Sequence, residues 1–209
     1  MPAPFSLADL PPWAFDKEDR GADADFYAEA RLVTHIDDAA IAALKDFYRR
    51  ALPPGGVVLD LMSSWVSHLP EEVAYGEVIG HGMNADELAA NPRLTRRFAQ
   101  DLNADPTLPL PAASLDAAMI CVGVQYLQRP VEVMTELARV LRPGAPLVVS
   151  FSNRCFPTKA VAVWLRLDTR GHAALVELYL EAAGLAPVET HLLADGRDSD
   201  PLVAVVGRA

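Results

Sequence analysis

The stretch Val57 to Leu69, VVLDLMSSWVSHL, constrains this chain most. Three apolar residues, Val57-Val58-Leu59, run into a carboxylate at Asp60 and then into the small polar pair Ser63-Ser64. A short apolar run bounded in this way predicts a buried parallel strand that delivers a loop and then a helix. In open α/β sheets ligands sit beyond the carboxyl end of such a strand, beside a helix N-terminus. An ordinary core strand with a polar turn has the same pattern, so the remaining chain must decide between them.

Strand and helix signals alternate along that remainder. Ile36, Ala40, Leu44, Phe47 and Ala51 recur at helical spacing, which predicts helix across Phe26 to Leu52, in two pieces, with Thr34 as N-cap of the second. Pro53-Pro54-Gly55-Gly56 stops it. Short strands are expected at Glu77 to Gly80 and Phe98 to Leu102, and a central one at Leu115 to Val124, which is apolar nearly throughout. Pro130 opens a helix whose face is Val131, Met134, Leu137 and Leu141, and Pro143-Gly144 ends it. Pro146 to Phe151 is a fifth strand. Lys159 to Leu167 and His172 to Ala183 read as helical, and Pro187 to Leu193 and Leu202 to Val206 as a closing strand pair. The order predicts an α/β three-layer sandwich, built on a mainly parallel seven-stranded Rossmann-like sheet with an antiparallel C-terminal edge strand. Residues 1–25, rich in proline and acid, are expected to form an N-terminal tail, with Trp13 and Phe15 tucking onto the domain. Residues 26–209 are then one domain, with residues 26–52 as a helical lid.

Composition narrows the function classes. The 209 residues suffice for one full core. With 18 basic against 28 acidic side chains and no basic patch, a nucleic-acid partner is not expected. No apolar run approaches the ~20 residues that span a bilayer, so no membrane association is expected. Cys121 and Cys155 are the two cysteines, too few for a disulfide framework. With no secretory signal visible, the expected compartment is the cytoplasm. The histidines show no metal-ligand spacing, so no metal is proposed.

Residues Leu115 to Phe151, SLDAAMICVGVQYLQRPVEVMTELARVLRPGAPLVVSF from Ser114, complete the picture. Together with VLDLMSS at Val58 to Ser64, they resemble the class I S-adenosylmethionine-dependent methyltransferases, especially the small-molecule branch. RVLRPGAPLVV, Arg139 to Val149, is the most specific piece. The resemblance implies S-adenosylmethionine as cofactor, with Asp60 positioning the first cofactor loop or reaching the cofactor's amino group. That loop usually carries glycines where this chain has Met62 and Ser64, so the hydroxyls of Ser63 and Ser64 are expected to replace some backbone contacts. After the second strand the family usually places an acid for the ribose hydroxyls. Gly82 stands there, with Asn84 as a substitute carbonyl and Met83 against the adenine. Asp101 and the main chain of Leu102 match the adenine reader, and Val122 and Gly123 match the segment lining the reactive methyl.

The same resemblance places candidates around an acceptor. His35 is the preferred general base, because imidazole titrates near neutrality, with Tyr126 and Asn153 as further catalytic candidates. Tyr27 and Arg31, four apart on one helical face, and Gln125 and Arg154 are expected to contact substrate, Arg31 through a carboxylate of substrate or cofactor. His172 shares the base candidacy, whereas His68 and His81 read as surface or cofactor-loop residues. The leading function is methyl transfer to a small-molecule acceptor. The alternatives are a non-catalytic descendant that binds a nucleoside ligand or serves as an interaction module, and a dinucleotide-dependent enzyme. The lack of GxGxxG after Leu59 argues against the last.

Overall fold

The apolar runs become the middle of one sheet. In a computed structural model describing residues 6–209, β1 (Val57–Leu61), β4 (Ala117–Cys121) and β5 (Pro146–Ser152) lie side by side with almost every residue buried. With β2 (Glu77–Gly82), β3 (Arg96–Ala99), β6 (Glu189–Ala194) and β7 (Leu202–Arg208), the order is β3-β2-β1-β4-β5-β7-β6. Pairings from β3 through β5 are parallel, and β7 runs antiparallel to both β5 and β6. The fold class is as expected. The reversed strand is β7, one position in from the edge, and β6 closes the sheet. From β1 the chain goes outward to β2 and β3 and then crosses back to β4 on the other side of β1, so the order reverses there and the carboxyl ends of β1 and β4 flank a crevice.

Alternate residues of each strand serve the two faces. Val58, Val78, Met119, Val148 and Ala204 point to the side of α2 (Asp38–Ala51), which contributes Ala40, Leu44, Phe47 and Tyr48. Leu59, Ile79, Ile120, Val149 and Val205 point to the opposite side, under α4 (Pro130–Val140) and α5 (Thr169–Ala182). A short α3 (Ala85–Ala90) links β2 to β3. Among the described residues no helix is long and apolar enough to cross a membrane.

Four expectations change. The connection from β1 to β2, residues 62–76, contains no helix. Ser63, Ser64, Ser67 and Pro70 disfavour one, and Asn91 instead ties the segment down by donating to Ser64 O at 2.9 Å and Ser67 Oγ at 2.9 Å. The lid is not helical across 26–52. A four-residue α1 (Asp23–Phe26) gives way to irregular chain, and α2 starts at Asp38 with Asp37, not Thr34, capping it by accepting from Ala40 N at 2.8 Å. Residues 159–167 hold turns and one 3-10 turn, Trp164–Arg166, rather than a helix. The described part of the expected tail is tied to the domain more closely than the tuck of Phe15 alone. Ala14 is fully buried, Phe15 packs on the core, and the main chain of Ala14 and Asp16 accepts from Val163 and Ala162.

Candidate functional site

A cleft of about 1070 Å³, including its open mouth, lies at the carboxyl ends of β1, β2 and β4. Residues 23–35 cross over it as a strap. The strap is fastened at four points. Lys159, 1% exposed, donates to Gly21 O at 2.8 Å and pairs with Asp19 at 3.1 Å and Asp23 at 3.3 Å. Asn84 Nδ2 donates to Tyr27 O at 2.9 Å and Ala28 O at 3.1 Å. Arg31 N donates to Glu87 Oε1 at 2.6 Å, and Trp65 Nε1 donates to Val33 O at 2.9 Å.

The floor comes from the loops after β1 and β4. Each turns through a residue in the left-handed region, Met62 (φ 59°) and Val122 (φ 45°), positions where glycine would be unstrained. Met62 N donates to His81 Nδ1 at 3.2 Å, Ser63 N to His81 O at 2.6 Å, and Ser63 Oγ to Asp60 at 2.6 Å. His81 Nε2 faces Gln100 O at 3.0 Å, so the ring carries its proton there and accepts from Met62. Burial holds His81 neutral, its pKa pulled down to about 4. Burial drives Asp60 the other way, to about 7, against the hydroxyls of Ser63 and Ser67. Ser64 Oγ donates to Glu87 at 2.6 Å.

Of the anticipated residues, Asp60, Met62, Ser63, Ser64, Met83, Asn84, Asp101, Leu102, Val122, Tyr27, Arg31, His35 and Tyr126 all line this cleft. Their roles shift in places. The hydroxyls of Ser63 and Ser64 are spent on Asp60 and Glu87 rather than open to a ligand. Asn84 Oδ1 caps α3 by accepting from Asp86 N and Glu87 N, so it is not a spare carbonyl. Tyr27 and Arg31 meet in irregular chain, not on a helix, with the guanidinium 4.6 Å from the Phe26 ring centroid, 5.7 Å from Phe156 and 6.0 Å from Tyr27. The Tyr126 hydroxyl accepts from Phe156 N at 2.8 Å, and burial pushes its pKa up to about 12, which makes it a strut for the loop after β5. His35 stands edge-on to Phe156 at 5.8 Å, and burial lowers its pKa.

Four candidates lie outside the cleft. Asn153 and Arg154 are exposed, and Arg154 pairs with Asp200 at 2.9 Å. Gln125 is buried and braces the Val122 turn by donating to Val122 O at 2.7 Å. His172 stacks on Trp164, centroids 3.9 Å apart, and faces Trp164 O. The loop after β5 turns outward straight after Ser152, and only Phe156 returns to the cleft. Sequence reasoning missed Glu87, which binds loop and strap together, and left His68 and His81 as surface or cofactor-loop residues; the second alternative is the one that fits. Both histidines line the cleft and are buried, and His68 has a left-handed backbone (φ 50°). The spacing Asn84 to Glu87, an N-cap and its third residue, was the available signal for Glu87. Among the described residues no cluster of three or more His, Cys, Asp or Glu could hold a metal ion.

Residues 64–149 match the family model described as a methyltransferase domain. No curated protein matches the chain in sequence. Solved structures share the fold. A chain of the complex between the Haloferax volcanii Trm112 methyltransferase activator and a methyltransferase is 19% identical with TM-score 0.63, over 82% of this chain and 90% of that one. A SAM-dependent methyltransferase from Aquifex aeolicus is 18% identical with TM-score 0.59, over 81% and 90%. Phosphoethanolamine N-methyltransferase 2 of Haemonchus contortus, in complex with S-adenosyl-L-methionine, is 12% identical with TM-score 0.57, over 81% of this chain and 51% of that one.

Proposed function

We propose that this chain, which carries the methyltransferase domain and fold of the class I S-adenosylmethionine-dependent family, moves a methyl group to a small-molecule acceptor within the strapped cleft. The cofactor of that family is S-adenosylmethionine, and the residues present fit it at two ends. Arg31 lines the cleft, and its Nη1 is buried without a hydrogen-bond partner among the described residues, which suits the cofactor's carboxylate. Asp101 spends Oδ1 on Asn103 N at 2.9 Å and leaves Oδ2 without a partner among the described residues, which suits an exocyclic amine. Leu102, Met83 and Leu127 supply apolar surface for a base. Asp60, Met62 and Val122 would border the methionyl part.

The bound cofactor supplies an activated methyl on a sulfonium, so the protein's work is orientation and desolvation. The strap covers the cleft and excludes water. Phe156, Tyr126 and Tyr27 give the acceptor side flat apolar walls, which supports a small organic acceptor over a polymer. His35 is the residue placed to take a proton: it lines the cleft, and burial lowers its pKa, which leaves the imidazole neutral with a free lone pair at pH 7. The orphaned Arg31 Nη1 is the single observation that carries the proposal, because a buried guanidinium N–H without a partner is costly unless a ligand satisfies it.

Thermal-shift titration with S-adenosylmethionine, S-adenosylhomocysteine and NAD tests the reading. The first two are expected to raise the melting temperature and NAD to leave it unchanged. Stabilisation by S-adenosylhomocysteine with no transfer to any acceptor would favour a non-catalytic nucleoside-binding role, to which Met62 and Gly82 lend weight as departures from the family pattern. No stabilisation by either sulfur ligand would refute cofactor binding.

A further inference from the structure

We infer, resting on the cofactor reading above, that Gly82 sets how this cleft meets the ribose of an adenosyl ligand: no carboxylate receives the two hydroxyls, and ligands lacking either one bind almost as well. Gly82 ends β2, where the fold presents a side chain to the cleft. A Cβ built on it would lie 2.5 Å from the main-chain oxygen of Ser63 and 3.3 Å from Leu88 Cδ2. The first contact is with backbone and cannot be relieved by rotating a side chain. The Ser63 carbonyl occupies the space in which any acidic side chain would have to begin.

That carbonyl cannot easily withdraw. The loop carrying it is stitched to β2 beside Gly82, by Ser63 N to His81 O and Met62 N to His81 Nδ1, and Ser63 Oγ anchors it to Asp60. His81 is itself held against Gln100 O, and Gly82 O accepts from Gln100 N at 3.1 Å, so β2 is fixed from the other side as well. The path of the glycine-poor loop and the loss of the acid are therefore one adaptation, and neither can be reversed alone.

The other carboxylates of the cleft do not replace the missing one. Asp60 is buried under Ser63. Glu87 gives Oε1 to Arg31 N and Oε2 to Ser64. Asp23 is held by Lys17, Lys159 and Asn103. Asp101 lies beyond β3, on the side assigned to the base. Asn84 has both its amide hydrogen-bonding groups committed, to α3 and to the strap. The wall facing the ribose is main chain of Ser63 and Gly82 with the Met83 side chain, which offers contact without a charged hydrogen bond.

Calorimetric titration of the full chain with S-adenosylhomocysteine and with its 2′-deoxy and 3′-deoxy adenosyl analogues tests this. Each analogue is expected to bind within about threefold of the parent, because a neutral or absent hydrogen bond is all that is lost. A loss of about tenfold or more for either analogue would show a charged acceptor on the ribose and overturn the inference. Gly82→Asp supplies the second measurement. It is expected to lower the melting temperature of the ligand-free protein and to weaken S-adenosylhomocysteine binding. An unchanged melting temperature, or tighter binding with new discrimination between the analogues, would show that Ser63 yields and would overturn the coupling. Should Gly82→Asp not fold, the analogue series on the unmodified chain decides alone. Should S-adenosylhomocysteine not bind the unmodified chain, the proposed function fails first, and the ligand-free melting temperature of Gly82→Asp still decides the coupling.

Discussion

Ser64 donates its hydroxyl to Glu87 across 2.6 Å, joining the loop after β1 to the first turn of α3, and the other Glu87 oxygen takes the main-chain N–H of Arg31. One buried carboxylate thus fixes both the floor of the cleft and its strap. Glu87→Ala should therefore cost roughly 2–3 kcal/mol, within the range for hydrogen bonds to a charged group plus the donors left unpaired. Ser64→Ala should cost less and should couple to Glu87→Gln by about 0.5–1 kcal/mol in a double-mutant cycle followed by urea unfolding. Strict additivity of the two changes would mean that the bond does not hold the loop.

Asp23 sits between two lysines that are almost fully buried, Lys17 at 2.5 Å and Lys159 at 3.3 Å, and also accepts from Asn103. Desolvation raises its pKa, but these partners outweigh burial and hold the carboxyl below its ordinary value. Removing one lysine leaves the carboxylate paired, whereas removing the carboxylate leaves the buried Lys17 without its ion-pair partner and Lys159 with Asp19 alone. Asp23→Ala should accordingly destabilise by about 3–5 kcal/mol and Lys159→Met by about half as much. Urea midpoints in the reverse order would refute this reading of the cluster.

The mainly parallel seven-stranded sheet, its antiparallel C-terminal strand and the placing of Asp60, Asp101 and Val122 beyond strand ends were legible in the sequence because they depend on apolar run length and on loops that follow strand ends. Pro130 and the 3.6-residue face of α4 marked that helix correctly. Other features were not legible, for physical reasons. The strap reads as the first piece of a helix, with Tyr27 and Arg31 four apart on one face, but Arg31 and Tyr27 are held by Glu87 and Asn84, residues more than fifty positions away, and local propensity yields to those contacts. Phe15 tucks onto the domain beside Tyr179 as expected, but Ala14 lies among prolines, so no periodicity announced its burial beside Val163. Nothing in the residue type announces a left-handed Met62 or His68, since only the tertiary frame makes a non-glycine residue adopt that conformation.

The buried titratable groups of the cleft pull stability in opposite directions with pH. Asp60 has a folded pKa of about 7, above its ordinary 3.8, so between those values the folded state binds the extra proton and this carboxyl destabilises the fold increasingly as pH rises. His81 and His68, at about 4 instead of 6.5, take up protons on unfolding, and their effect is lost stability as pH falls from 6.5 to 4. Asp60→Asn should therefore gain on the parent protein across pH 4 to 7, with the difference levelling off above 7. Melting temperatures of both proteins across that window test it, and a constant difference would place the Asp60 carboxyl at its ordinary value.

On the cleft floor the two left-handed turns leave no room for a side chain at Gly123. A Cβ added to Gly123 would come within 2.9 Å of Met62 Cβ and 3.2 Å of its sulfur. Gly123 itself has an ordinary negative φ of −118°, so its need for glycine comes from this neighbour and not from its backbone. Gly123→Ala should then cost about 1–3 kcal/mol by overpacking. Met62→Gly removes the obstructing side chain and also relieves the strain of φ 59°, so it offsets its lost packing and should be close to neutral. The decisive comparison is the double variant. With Met62 reduced to glycine, the alanine at position 123 has room, and its cost should fall to a few tenths of a kcal/mol. Because both residues border the region assigned to the reactive methyl, S-adenosylhomocysteine affinity measured on the same four proteins should follow the same pattern, lowest in Gly123→Ala and recovered in the double variant. A Gly123→Ala penalty that persists undiminished without the Met62 side chain would mean that the crowding arises elsewhere, and the two turns would have to be treated as independent.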